Sequence, residues 1–175
     1  VNRVLKALLL CVAGGQLVAC SPTYNWRTVS LKQLSMNLPC KPDRAERPVQ
    51  LAGQTMVMSM AGCETGGAIF AVSHVQVNAV TQTRKVLEAW QIESLANLRA
   101  QVSAATPISQ LPSPPGNGLV PELNMTVRGQ SPAGEPLQAN LRWFVRGAEV
   151  YHVAVYAATI EPAVLEALTA ELQWK

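Results

Sequence analysis

Hydrophobic and polar residues along this chain alternate with two different periods. From Trp26 to Leu31, and again where Leu34, Met36 and Leu38 alternate with Ser35 and Asn37, the period of two predicts short β-strands, the second closed by Pro39. Lys41 to Arg47 carries charges between prolines and reads as a connection. The β pattern resumes at Val49, turns at Ala52-Gly53-Gln54, and runs from Thr55 to Cys63 with Met56, Met58 and Met60 on one face. After a hairpin connection at Glu64-Thr65-Gly66-Gly67, Ala68 to Val77 is the strongest strand, rich in β-branched residues. From Gln82 to about Ser103 the period becomes helical. Leu87, Trp90, Leu95, Leu98 and Val102 form one stripe, with Val86 and Ile92 on its shoulders. The prolines and glycines of Thr106 to Pro121 break regular structure. Three further strands follow, Glu122 to Arg128, Leu137 to Arg146 and Glu149 to Ala157, with short connections that suit an antiparallel meander. Pro162 opens a closing helix whose stripe is Val164, Leu165, Leu168 and Leu172, with Trp174 expected to pack against it. This order predicts an α+β domain: an antiparallel β-sheet covered by one long helix and one short C-terminal helix, as an α-β-α sandwich.

The first twenty residues carry a different signal. Arg3 and Lys6 precede the apolar run Ala7 to Val12, which Gly14 and Gly15 interrupt well short of the ~18 apolar residues a spanning helix needs. The segment ends in Leu17-Val18-Ala19-Cys20. It resembles a bacterial lipoprotein signal peptide with its lipobox. That resemblance implies removal of residues 1–19, acylation of the Cys20 thiol, a lipidated tether over residues 20–25 and a single domain over residues 26–175. It also implies a partner in the membrane itself. Ser21 is not the aspartate that retains such proteins at the inner membrane of Gram-negative cells, so the resemblance implies the periplasmic face of the outer membrane. Val1 fits a non-AUG start as well as a truncated sequence.

Two cysteines then remain, Cys40 and Cys63, in a chain expected to meet an oxidising compartment. A disulfide is the simplest reading and two free thiols the alternative. A metal site lacks ligands, because no CxxC or HxxxH accompanies them and the histidines are His74 and His152 alone. The methionine row reads as core filler rather than a copper ladder, there being no histidine or cysteine close by on its face.

The chain holds 14 basic and 11 acidic residues; without Arg3 and Lys6 the balance is 12 to 11, and no basic cluster is present. Nucleic acid is therefore not an expected partner. Catalytic motifs are also missing: no GxSxG, SxxK, P-loop or HExxH occurs. Ser73 and His74 are neighbours on a strand and point to opposite faces, and Asp43 is the only aspartate. The glutamates are dispersed, which disfavours a paired-carboxylate glycosidase. Asn124-Met125-Thr126 matches a glycosylation sequon and reads as chance in a bacterial chain.

Trp26-Arg27-Thr28-Val29, Asn37-Leu38-Pro39, the hairpin from Arg142 to Tyr151 and the terminal helix ending near Trp174 resemble the PsbP-like fold of accessory and lipoprotein domains. The resemblance implies a non-enzymatic accessory role without cofactors. The expected function is thus a lipid-anchored interaction module for an envelope protein. The alternative is a carrier of a small apolar ligand between sheet and helix, which would need a cavity of at least roughly 300 Å³ lined by Met and Leu.

Overall fold

A computed structural model describes residues 23–100 and 123–175; the leader, Cys20 and the proline-rich stretch lie outside the described residues. The strands are β1 (Arg27–Leu31), β2 (Leu34–Leu38), β3 (Asp43–Leu51), β4 (Gln54–Thr65), β5 (Ala68–Gln76), β6 (Leu123–Gln130), β7 (Pro136–Arg146), β8 (Glu149–Ala157) and β9 (Gln173–Trp174). The helices are α1 (Thr83–Asn97), preceded by a 3-10 turn at Val80–Gln82, and α2 (Pro162–Ala170).

Six strands form one sheet in the order β3-β4-β5-β8-β7-β6, and three form a second in the order β1-β2-β9, with every pairing antiparallel. The large sheet is two three-stranded meanders joined where β5 meets β8. Its tight turns use left-handed backbone where the hairpins demand it: Ala52 (φ 53°) and Gly53 (φ 79°) join β3 to β4, while Gly66 and Gly67 join β4 to β5. Because side chains alternate across a strand, each face of the sheet has its own core. On the front face Phe70, Val72, Tyr151, Val153 and Val155 pack under the small sheet's Val29, Leu31, Leu34, Met36 and Leu38 and under Leu168 of α2. On the back face Val75, Leu141, Trp143, Val150 and Ala154 pack with Val86 and Trp90 of α1.

This arrangement corrects the expected fold class. Of the described residues 53% lie in strands and 21% in helices, so the protein is mostly β and not an α-β-α sandwich of a sheet covered by one long helix and one short C-terminal helix. The front cover is chiefly a second sheet, because β1 and β2 bury their apolar side chains downward onto the large sheet instead of extending it. The two-residue β9 completes that sheet by pairing Trp174 with Leu34, so the Trp174 ring meets Tyr151 at 5.2 Å between centroids.

Three local expectations change with it. The charged stretch read as a connection is half of β3, an edge strand whose residues 43–48 are all exposed. Charges and Pro48 on an edge discourage pairing with another chain, and an edge strand tolerates a proline because its outer N–H has no ladder partner. The first helix stops at Asn97 rather than continuing to Ser103: Arg99 adopts a left-handed conformation (φ 48°), and the Gln130 amide takes the Leu98 carbonyl at 2.7 Å. Its buried line is Thr83, Val86 and Trp90, so Val86 is central rather than marginal and Ile92 is exposed. Gly129 admits this close approach, since a Cβ there would stand 2.5 Å from the Leu98 carbonyl oxygen.

The expected disulfide is present. Cys40, just beyond β2, is bonded to Cys63 of β4 with Cα atoms 5.9 Å apart. It latches the small sheet to the large one. The end of the expected tether is also docked: the Thr65 hydroxyl donates to the Thr23 carbonyl at 2.7 Å, and Tyr24 meets Phe70 edge-on.

Cross-linking a loop of this length restricts the unfolded chain by about 3 kcal/mol. Cys40→Ala, or the reduced wild type, should therefore lose about that much stability in urea denaturation. Non-reducing mass analysis should show the oxidised chain two hydrogens lighter; an unchanged mass would contradict the bond.

Candidate functional site

The β1–β2 hairpin crosses the front face with its two-residue tip over β5 and β8. Lys32 in that tip has φ 51°, a conformation that costs a non-glycine residue roughly 1 kcal/mol or more. Contacts on both sides hold it. The Gln33 amide donates to the Tyr151 hydroxyl at 3.2 Å, and the Gln33 carbonyl accepts from the Lys175 amide at 2.8 Å. Lys32 Nζ lies 3.6 Å from Glu46 Oε1, while the Ser59 hydroxyl donates to the same oxygen at 2.7 Å. The Ser59 hydrogen bond, then the Lys32 charge, holds the Glu46 carboxyl below its usual range.

A cleft of about 270 Å³ opens between this hairpin and the β3–β4 edge, lined by Leu31, Arg44, Ala45, Glu46, Ser59 and Met60. Arg44 reaches across it to donate to the Ser30 carbonyl at 3.0 Å. The cleft presents a cation and an anion on the exposed edge strand, with the buried Ser59 hydroxyl of β4 behind them. Its lining mixes charged Arg44 and Glu46 with apolar Leu31, Ala45 and Met60.

Deeper on the same face, the strand register places His74 opposite Ser59 on one side and Tyr151 on the other. His74 Nε2 pairs with Glu149 Oε2, its ring lies 4.7 Å from Tyr151, and its Nδ1 has no partner among the described residues. Burial lowers the His74 pKa and outweighs the stabilising effect of Glu149 on the imidazolium. Serine, histidine and glutamate thus share one face. The hydroxyl nevertheless serves Glu46 and not the imidazole, so no nucleophile-base hydrogen bond is assembled.

The other histidine lies on the back face. His152 stacks on Trp143 at 4.4 Å and meets Trp90 edge-on at 5.4 Å, and complete burial pushes its pKa down to about 3. The sheet therefore separates the two histidines. Asp43 is exposed on the edge strand, and Met56 and Met58 are packed in the back core with Val75 and Trp90. Cys20 lies outside the described residues. Among the described residues no three metal-ligating side chains gather. Sequence reasoning missed the His74–Glu149 pair. Alternation with Phe70 and Val72 placed His74 on a buried face, but only the long-range register supplies its partner.

No family model matches the chain, and no curated protein matches it. A crystal structure of a protein from Bacteroides thetaiotaomicron VPI-5482 is similar at 14% identity with a TM-score of 0.44, over 88% of this chain and 49% of that one. The chain thus spans about half the length of the solved structure it matches.

Both histidines have folded-state pKa values below the usual 6.5, so the unfolded chain binds more protons as pH falls. The contribution of His152 is complete above about pH 6.5 and is lost as pH drops toward 3, by up to ~1.4 kcal/mol per pH unit, and that of His74 falls in the same direction as pH drops below 6.5. Denaturation midpoints should fall steadily from pH 6.5 to 4. His152→Phe, which keeps a ring between Trp90 and Trp143, should remove a large part of that slope; a wild-type midpoint flat over this window would contradict the assignment.

Proposed function

We propose that this chain is a lipid-anchored module of the cell envelope, held through acylated Cys20 at the periplasmic face of the outer membrane and acting as a non-enzymatic partner of an envelope protein. The observation that carries this reading is the Cys40–Cys63 disulfide, a bond that persists in oxidising compartments and is rare in the cytosol. It agrees with the basic, apolar and Leu-Val-Ala-Cys sequence of the leader, which resembles that of an exported lipoprotein. Two or three acyl chains would anchor the chain without a spanning segment, since a single chain binds only marginally. Among the described residues no helix is long and apolar enough to cross a membrane.

The cleft beside the β1–β2 hairpin is the surface this reading assigns to the partner. Arg44 and Glu46 offer both signs of charge within reach of an extended peptide, and the exposed charges of β3 discourage indiscriminate strand addition. The alternative, a carrier of a small apolar ligand, draws no support from an open cleft of about 270 Å³, which falls short of the roughly 300 Å³ such a ligand needs.

Growth with an alkyne palmitate should label the wild-type protein and place it in the membrane fraction, while Cys20→Ala should lose both properties. Labelling that persists in C20A would remove the anchor from the proposal. A photo-crosslinking residue at position 44 should give a discrete envelope adduct that the same residue at exposed position 92 does not. Equal adducts from both positions would dissociate the cleft from the partner.

A further inference from the structure

On the front face the row nearest β6 is polar where its neighbours are apolar. Asn124 stands opposite Arg142 and Thr126 opposite Asn140 in the β6–β7 register, so all four side chains share that face. Asn124 and Asn140 are 5% and 4% exposed. Asn140 Nδ2 donates to Thr126 Oγ1 at 2.9 Å and to Asn124 Oδ1 at 3.3 Å, which commits its Oδ1 to accept from Arg142 Nε at 2.9 Å. This chain of bonds fixes one edge of the guanidinium. Its two Nη groups have no hydrogen-bond partner among the described residues, and no described carboxylate lies within 4.0 Å of them.

Across the strand pair the neighbour of Arg142 is Val153, and Phe144 lies next to it on the same face. Withdrawal from water lowers the Arg142 pKa, but a guanidinium remains charged throughout the physiological range. A half-buried cation with no counter-ion among the described residues is unfavourable, and its cost is relieved when an anion is bound with good geometry. An arginine whose Nε edge is already occupied presents its Nη pair as a fork. Such a fork matches the two oxygens of a carboxylate.

We propose that Arg142, oriented by Asn140 and backed by Asn124 and Thr126, is a binding site for the carboxylate group of a small molecule or peptide. A single positive charge among neutral amides balances a monoanion, whereas a phosphate dianion would keep excess charge. The site is separate from the cleft beside Arg44 and Glu46, which lies at the opposite, β3–β4 end of the sheet.

The test is thermal unfolding of the disulfide-bonded domain at constant ionic strength in sodium acetate or sodium butyrate, compared with chloride and phosphate. At tenfold excess over the dissociation constant, carboxylate should raise the midpoint by about 3 °C relative to chloride. Arg142→Lys keeps the charge but loses the fork and should lose that rise. Arg142→Met removes the unpaired cation, so it should remain folded in chloride with a midpoint at or above the wild type and show no carboxylate response. A response to acetate but not butyrate assigns a narrow site for a simple carboxylate; equal responses admit larger acids. The proposal is overturned by a wild type indifferent to carboxylate, by an equal response in R142K, or by a response to phosphate alone.

Discussion

The pairing of β5 with β8 is the interaction on which everything else rests. Its register runs from Ala68 against Ala157 to Gln76 against Glu149 and joins two meanders that would otherwise be separate three-stranded sheets. The join moves β5 and β8 from the edges of their meanders to the centre of a six-stranded sheet, where each has a ladder on both sides. The cost is entropic. Residues this far apart in sequence must meet before the contact is rewarded, so the β5–β8 ladder is the slow, non-local step in assembly. The same ladder brings His74 to Glu149 and sets Tyr151 under the hairpin tip.

Because β5 and β8 are buried on both sides, each polar residue in them needs a specific accommodation. His74 meets a carboxylate on the front and His152 is held between indole rings on the back. Ser59 and Arg142 occupy the front face farther out, where the apolar cover thins. The functional surfaces thus lie at the flanks of the large sheet, on β3–β4 and β6–β7, while its centre is devoted to packing. A small sheet covering a larger one requires this division, since β1 and β2 are too short to span six strands.

Much of the strand order was legible because Leu34-Met36-Leu38 and Ala68 to Val77 carry their period openly, and β8 was found with its ends in place. Parity and compartment identified Cys40 and Cys63. The charged residues from Asp43 to Arg47 concealed an edge strand, because an edge tolerates the composition of a loop. Two-residue β9 has too little length to show any period, and its absence from the reading left the small sheet unrecognised. That omission turned a second sheet into an expected helical layer. The helix of Thr83–Asn97 was visible as a stripe, but Arg99 ends it in a conformation usually supplied by glycine, which sequence alone does not announce. His74–Glu149 and the Arg142 cluster depend on register across strands, where hydrophobic pattern carries no information about which polar residue faces which.

The docked segment at Thr23 sets a leash length. Under the proposed acylation of Cys20, three residue steps, through Ser21 and Pro22, separate the lipidated residue from the Thr23 carbonyl pinned by Thr65, a reach of about 10 Å at full extension. So short a leash leaves little freedom to swing. The turn between β4 and β5 would hover just above the headgroups, and the sheet would stand with one end toward the bilayer. An incoming partner would then encounter the hairpin tip at Lys32 and Gln33 from the aqueous side.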